Sequence, residues 1–341
     1  MSAVCTMGRA MKQVQHGRAV RSVLVTAGLM CLLTSVANAA DTAANYPSRP
    51  IRFIAPTTPG GANDILPRLL GARMTQNWGQ QVVIDLRPGA GGVVGTEIAA
   101  RAAPDGYTLL IIANGYVLNP FLIAKLPYDT LKDLDRVSLF TVAPLVLVVH
   151  PSMPAKSVQE LIAYAKERPG QINYGTSGLG SGGWLSMELF KRMTGLKMTH
   201  IAYKGAGQST AAVLTNDVHM LFTSSLAASP YIKGGRMRAL GVTSAKRVPS
   251  MEGVPALAEF MPGYEVLNFF GVLVPAGTPK AIINKLNDEI NRITGLPDVR
   301  EQFAQLGFDP VHNTPEQFTA YVRAEMNKWS AIFREAGIKA E

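Results

Sequence analysis

The chain has 341 residues, 47% of them hydrophobic, with 33 Lys and Arg against 24 Asp and Glu and a formal net charge of +9. That is enough for one large domain or two ordinary ones with a sizeable core. The basic residues form no Lys/Arg run and no aromatic pattern of RNA readers, so nucleic acid is not an expected partner.

Arg9, Lys12, Arg18 and Arg21 precede an apolar run from Ser22 to Val36, and Ala37-Asn38-Ala39 offers small residues to a signal peptidase. The pattern predicts a cleaved secretory signal over 1–39 and a periplasmic mature chain. The run is shorter than the roughly 20 residues needed to cross a bilayer, which argues against an anchor. Cleavage removes four bases and leaves a mild basic excess. It also removes Cys5 and Cys31, the two cysteines of the chain, so no disulfide, thiol nucleophile or thiolate metal site is expected.

Ile51 to Ala55 predicts a short buried strand, and Ile65, Leu66, Leu69, Leu70 and Met74 recur at helical spacing. Between them lies Pro56-Thr57-Thr58-Pro59-Gly60-Gly61-Ala62-Asn63-Asp64. A Gly-rich bend opening a helix presents unpaired N–H groups and partial positive charge, a ready anion site. By itself it reads better as an ordinary turn between strand and helix. Pro67 falls about one turn into the helix, which ends near Trp78-Gly79.

Val82 to Ile84 predicts the next strand. Arg87 to Glu97 then resembles a dinucleotide fingerprint, but from Gly89 its spacing is one residue too long and from Gly91 it lacks the second glycine. A second Gly-rich helix entry is the better reading. Tyr107 to Ala113 is a further strand. The alternation of strand and helix predicts parallel strands with helical crossovers. Val137 to Val149, broken at Ala143-Pro144, is too long for one ordinary strand. It is either two strands or one that crosses between lobes. Ser157 opens the next helix.

A strand ending at Asn173-Tyr174-Gly175 leads into Thr176-Ser177-Gly178-Leu179-Gly180-Ser181-Gly182-Gly183 and another helix. This repeats the first bend with more hydroxyls. Neither Ser177 nor Ser181 stands in G-x-S-x-G, and a serine in such a loop is ordinarily a cap. Strands follow at His200–Tyr203, His219–Phe222, Arg238–Val242 and within Gly263–Val274. Lys280 to Ile293 is an amphipathic helix with Ile282, Ile283, Leu286, Ile290 and Ile293 inward. The last helix starts at Thr314, with Gln317 at the capping-box position.

The chemistry of catalysis is missing. His16, His150, His200, His219 and His312 are scattered without metal-ligand spacing, and no Walker pattern or activated nucleophile is present. No metal, cofactor or catalytic residue is expected. Loops rich in Gly, Ser, Thr and Asn suit a site that holds an anion and releases it.

Together, Tyr46-Pro47, Pro50-Ile51, Pro59-Gly60-Gly61 with Asp64 and Arg68, Arg87-Pro88-Gly89-Ala90-Gly91-Gly92, Ala103-Pro104-Asp105-Gly106-Tyr107-Thr108-Leu109, Leu126-Pro127-Tyr128-Asp129, Tyr203-Lys204-Gly205, Pro262-Gly263-Tyr264 and Pro275-Ala276-Gly277-Thr278-Pro279 resemble the solute receptors of tripartite tricarboxylate transporters, the Bug proteins. The resemblance spans the mature chain in the right order.

It implies an α/β two-lobed periplasmic binding protein of the Venus-flytrap, type II-like kind, each lobe a mainly parallel sheet flanked by helices. Lobe 1 would comprise 40–142 and 266–341, lobe 2 143–265. It implies a monomer that catalyses nothing, closes on a small-molecule carboxylate and delivers it to membrane permease subunits. A sensor kinase is the alternative partner. By position, the resemblance assigns ligand binding to Thr57, Thr58, Gly60, Gly61, Ala62, Ser177, Gly178, Ser181 and Gly182, with Tyr203, Thr223, Ser224 and Phe269 as further pocket positions. Thr223 stands where many relatives carry an acid, which disfavours an amino-acid ligand because its ammonium would lack a partner. With Trp184 and Phe269 as candidate flat walls, the expected ligand is a dicarboxylate, an aromatic one such as terephthalate ahead of a short aliphatic diacid.

Overall fold

The computed structural model describes residues 44–203, 205–248 and 251–335. The expected signal segment, Cys5, Cys31, His16 and Lys204 lie outside the described residues. The chain separates into an N-terminal unit ending at Ser48 and a unit from Arg49 onward, to which everything below belongs.

Two sheets share their longest strand. The first contains β1 (Ile51–Ala55), β2 (Val82–Leu86), β3 (Thr108–Ile112), β9 (Leu267–Pro275), part of β4 (Leu134–Val149) and the short β10 (Asp309–Pro310). β1 pairs in parallel with β2 and β3, whereas β9 runs antiparallel to β3 and β4. The second contains β5 (Asn173–Thr176), β6 (Thr199–Ala202), β7 (Met220–Ser224) and β8 (Arg238–Val242), with β5 parallel to β6 and β7. β4 runs antiparallel to both β7 and β8. The expected parallel character therefore holds for the strands that carry the loops, and the strands that join the sheets break it.

β4 is the crossing. It pairs with β9 from Leu134↔Pro275 to Pro144↔Leu267, then from Leu145 onward with β7, at Leu145↔Ser224. Of the two readings left open by the sequence, a single crossing strand is the one found. Pro144 is tolerated there because its missing N–H falls where one set of ladder partners gives way to the next.

Helices cover the sheets: α1 (Ala62–Trp78), α2 (Val93–Ala100), α3 (Asn114–Leu122), α4 (Val158–Lys166), α5 (Gly182–Thr194), α6 (Ala206–Leu214), α7 (Ser225–Lys233), α8 (Lys280–Gly295), α9 (Pro297–Gln305) and α10 (Pro315–Glu335). Their ends follow from local chemistry. Ser157 Oγ accepts from Glu160 N at the start of α4. Thr314 and Gln317 form the expected reciprocal box: Gln317 N donates to Thr314 Oγ1 at 3.3 Å and Thr314 N donates to Gln317 Oε1 at 2.9 Å. All five predicted inward residues of α8 are buried. At about 1.5–3 kcal/mol per buried aliphatic side chain, that stripe fixes the helix on the first sheet. In α10, Phe318, Val322, Trp329 and Phe333 are buried, and Phe333 meets Trp184 edge-on at 5.5 Å.

Candidate ligand site

Strand direction decides where the loops gather. β1, β2 and β3 are parallel, so the bends at 56–61 and 87–92 and the start of α3 leave the same end of the first sheet. β5, β6 and β7 likewise send the bend at 177–181, Tyr203 and Ser224 to one end of theirs. Ligands of open α/β sheets bind outside the carboxyl ends of the strands, where such loops meet.

The first bend is fastened by a carboxylate. Asp64, buried in the first turn of α1, accepts from Gly60 N at 2.9 Å and from Arg68 Nε at 2.6 Å. The Gly60 backbone donor, then Arg68, hold its carboxyl below the usual carboxylate range. Gly60 has φ 92°, a left-handed conformation that side chains resist. No side chain caps α1: Gly61 stands at its N-cap, with Thr57 Oγ1 turned to Thr58 O at 3.1 Å. Pro56 carries the neighbouring loop, since a Cβ on Gly95 would stand 2.9 Å from Pro56 Cβ and 3.1 Å from Arg87 O.

The second bend is fastened by hydroxyls. Ser181 donates to Gly178 O at 2.7 Å and accepts from Trp184 N at 3.3 Å, capping α5. Its hydroxyl is engaged as a cap and has no base beside it. Thr176 Oγ1 accepts from Gly178 N at 3.2 Å and contacts His200 Nε2 at 2.7 Å. Gly178 has φ 115°, which permits the turn. Tyr203 N donates to Thr176 O at 2.9 Å, and the edge of its ring lies against Gly175. Ser224 caps α7 by accepting from Ala227 N at 3.2 Å, and Thr223 beside it is buried.

The structure thus collects Thr57, Thr58, Gly60, Gly61 and Ala62 at the end of the first sheet, and Ser177, Gly178, Ser181, Gly182, Tyr203, Thr223 and Ser224 at the end of the second. Phe269 joins neither group. It is fully buried, edge-on to Tyr321 at 5.3 Å. Trp184 is also in the core, at 3% exposure.

Two asparagines that sequence reasoning passed over stand between the groups. Buried Asn114, the first residue of α3, donates through Nδ2 to Leu267 O at 2.9 Å and accepts through Oδ1 from Phe269 N at 3.2 Å. It ties the end of β3 to the neighbouring strand β9. Asn268, flanked by those two backbone groups, lies against the first residue of α5, where a Cβ on Gly182 would overlap its Oδ1. The second bend also rests on α3: a Cβ on Gly180 would stand 3.1 Å from Leu122 Cδ1. A polar residue within an apolar strand was the one available signal for Asn268.

Paired Gly-rich bends at the carboxyl ends of two sheets that share the crossing strand β4 are the layout of a two-lobed binding protein. The family model described as "Tripartite tricarboxylate transporter family receptor" matches residues 66–338. The chain belongs to this family of periplasmic transport receptors. It is 37% identical over 320 residues to Protein BugT of Bordetella pertussis, covering 93% of this chain and 98% of that one. Among solved structures it resembles R. palustris Rpa4515 with adipate, at 35% identity and TM-score 0.78 over 87% of this chain and all of that one. It also resembles MatC of Rhodopseudomonas palustris with bound malate, at 29% identity and TM-score 0.73 over 84% and 99% of the two chains.

Proposed function

We propose that this receptor captures an aliphatic dicarboxylate in the periplasm, after cleavage of its signal segment, and delivers it as a monomer to the permease of a tripartite tricarboxylate transporter. The observation that carries the reading is the pair of bends, each opening a helix at the carboxyl end of its own sheet. One carboxylate of a diacid suits each helix entry, where N–H donors and partial positive charge favour an anion. Thr57, Thr58, Gly60, Gly61 and Ala62 would hold one end. Ser177, Gly178, Ser181 and Gly182 would hold the other, with Tyr203, Thr223 and Ser224 closing the second lobe's side.

The lobes would divide at 142/143 and 265/266, next to the Pro144–Leu267 pairing, so closure bends β4 and β9. Rpa4515 and MatC, solved with adipate and malate, support a diacid. The core positions of Trp184 and Phe269 withdraw the flat walls on which an aromatic body such as terephthalate rested. Neutral, buried Thr223 offers no counter-charge to an ammonium, which still disfavours amino acids.

A thermal-shift and calorimetric panel of malate, succinate, adipate, terephthalate and amino acids tests this. A ligand at 100 times its Kd stabilises the native state by about 2.7 kcal/mol, which raises Tm measurably. Aliphatic diacids should give the largest shifts. A response confined to amino acids, or none across the panel, would sink the reading.

A further inference from the structure

Strand β9 lies between the two bends, and its side chains alternate between opposite faces. Phe269 points into the core against Tyr321. Its neighbour Asn268 therefore points the other way, and the contact with Gly182 shows where: onto the entry of α5, beside the Ser181 cap. Asn268 is partly exposed, and among the described residues its carboxamide has no hydrogen-bond partner. A short polar side chain with two donors and an acceptor unused, inside a strand otherwise apolar from Phe269 to Val274, is not there for packing.

Its backbone is fixed. Asn114 grips Leu267 O and Phe269 N, on either side of Asn268, and the strand pairs Asn268↔Ala143. Gly182 leaves room for the amide, because any Cβ there would collide with it.

We propose that Asn268 is a specificity-determining residue whose Nδ2 donates to the ligand carboxylate seated at the second bend. It reads the ligand from β9, beside the crossing strand, while the bends read it from the helix entries. The inference rests on the dicarboxylate reading above. It adds a third contact, from a strand that Asn114 and β4 hold in place. An uncharged donor suits the position. A carboxylate there would itself sit at the α5 entry and repel the ligand, and an ammonium would hold a diacid without regard to geometry.

The test is calorimetric titration of adipate and malate into wild type, Asn268→Ala, Asn268→Asp, Gly182→Ala and the Gly182→Ala/Asn268→Ala pair, with ligand-free melting curves for each. Asn268→Ala should weaken the Kd of the better ligand about 10-fold, the loss of one hydrogen bond to a charged group. Asn268→Asp should weaken it further, with the ligand-free Tm little changed. Gly182→Ala pushes the amide aside and should cost affinity alone, yet almost nothing more in the Asn268→Ala background. Unchanged Kd values for both Asn268 variants, or strictly additive losses across the cycle, overturn the assignment while leaving the dicarboxylate reading intact. Absence of any diacid binding to wild type overturns both.

Discussion

The two bends open helices in the same way but are fastened differently. The first hangs on a charge: Asp64 reaches back to Gly60 N and is neutralised by Arg68, which is itself exposed. Thr58 to Gly61 are exposed, a Cβ on Gly60 or Gly61 would meet nothing nearer than Thr57 Oγ1 at 3.7 Å, and the bend packs on its neighbours through Pro56, against Gly92 and Gly95. The second hangs on neutral hydroxyls, Thr176 and Ser181, and is wedged against α3, β7 and β9. A bend held by its own helix can adjust to a ligand without disturbing the sheet. A bend packed on β9, whose Leu267 pairs with Pro144 where β4 changes sheets, feels every change at that junction. The contrast makes the first bend the looser of the two and the second the one held in register by its neighbours.

The comparison breaks most visibly at Gly183. A Cβ there would stand 2.7 Å from Phe222 O, a backbone atom of β7 that cannot step aside. Gly183→Ala should destabilise the protein by about 2–3 kcal/mol, the cost of overpacking a rigid contact. Urea melts of variant and wild type measure it. Gly61→Ala at the first bend meets nothing nearer than Thr57 Oγ1 at 3.7 Å and should be close to neutral in the same assay. Equal effects at the two glycines would erase the distinction between a wedged bend and a free one.

A smaller effect separates charge from hydroxyl. Asp64→Asn keeps an acceptor for Gly60 N but loses the ion pair and the strength of a charged acceptor, which costs about 1–2 kcal/mol near neutral pH. Asp64's folded pKa lies below its ordinary 3.8, so the contribution is complete above that value. It is lost as pH falls through the lower, folded pKa. Wild type should therefore be the more stable protein at pH 7, and the gap should close in acid. A gap that stays constant from pH 7 to pH 3 would mean that Asp64 does not hold the bend by its charge.

Much of this arrangement was legible in the residues, and what was missed shares one cause. Local rules placed β1 and α1, the Ser157 cap, the Thr314–Gln317 box and the inward stripe of α8, because each is decided within a few residues. The crossing strand was legible as a length anomaly interrupted by Ala143-Pro144. Helix α3 was not read at all: Gly115 and Pro120 are poor helix residues, and its helicity is held by burial of Tyr116, Val117 and Leu118. Asn114 owes its role to a strand 153 residues away in sequence. At β9 the position-by-position resemblance picked Phe269, one residue from the side chain that faces Gly182. In a strand, one residue is the difference between the core and the opposite face.

The weakest predicted effect concerns what lies beneath the second bend. His200 stacks on Tyr174 at 5.0 Å between centroids and touches Thr176 Oγ1, the atom that also accepts Gly178 N. Tyr174 donates to Glu188 at 3.1 Å, and Lys191 completes the cluster by pairing with Glu188 at 2.8 Å. Burial pushes the His200 pKa below its ordinary 6.5; Glu188 raises it and Lys191 opposes that rise. The folded protein therefore takes this proton less readily than the unfolded chain. As pH drops below 6.5 the unfolded state is favoured, until pH passes the lower, folded pKa. His200→Gln keeps a polar side chain but does not titrate, so its stability should fall less than that of wild type between pH 8 and pH 5. Melting curves at those two values decide the matter, and parallel losses in the two proteins would exclude His200 as the source. The first bend is fastened by Asp64 and has no histidine in that contact, so a divergence would trace the loss in mild acid to the base of the second bend.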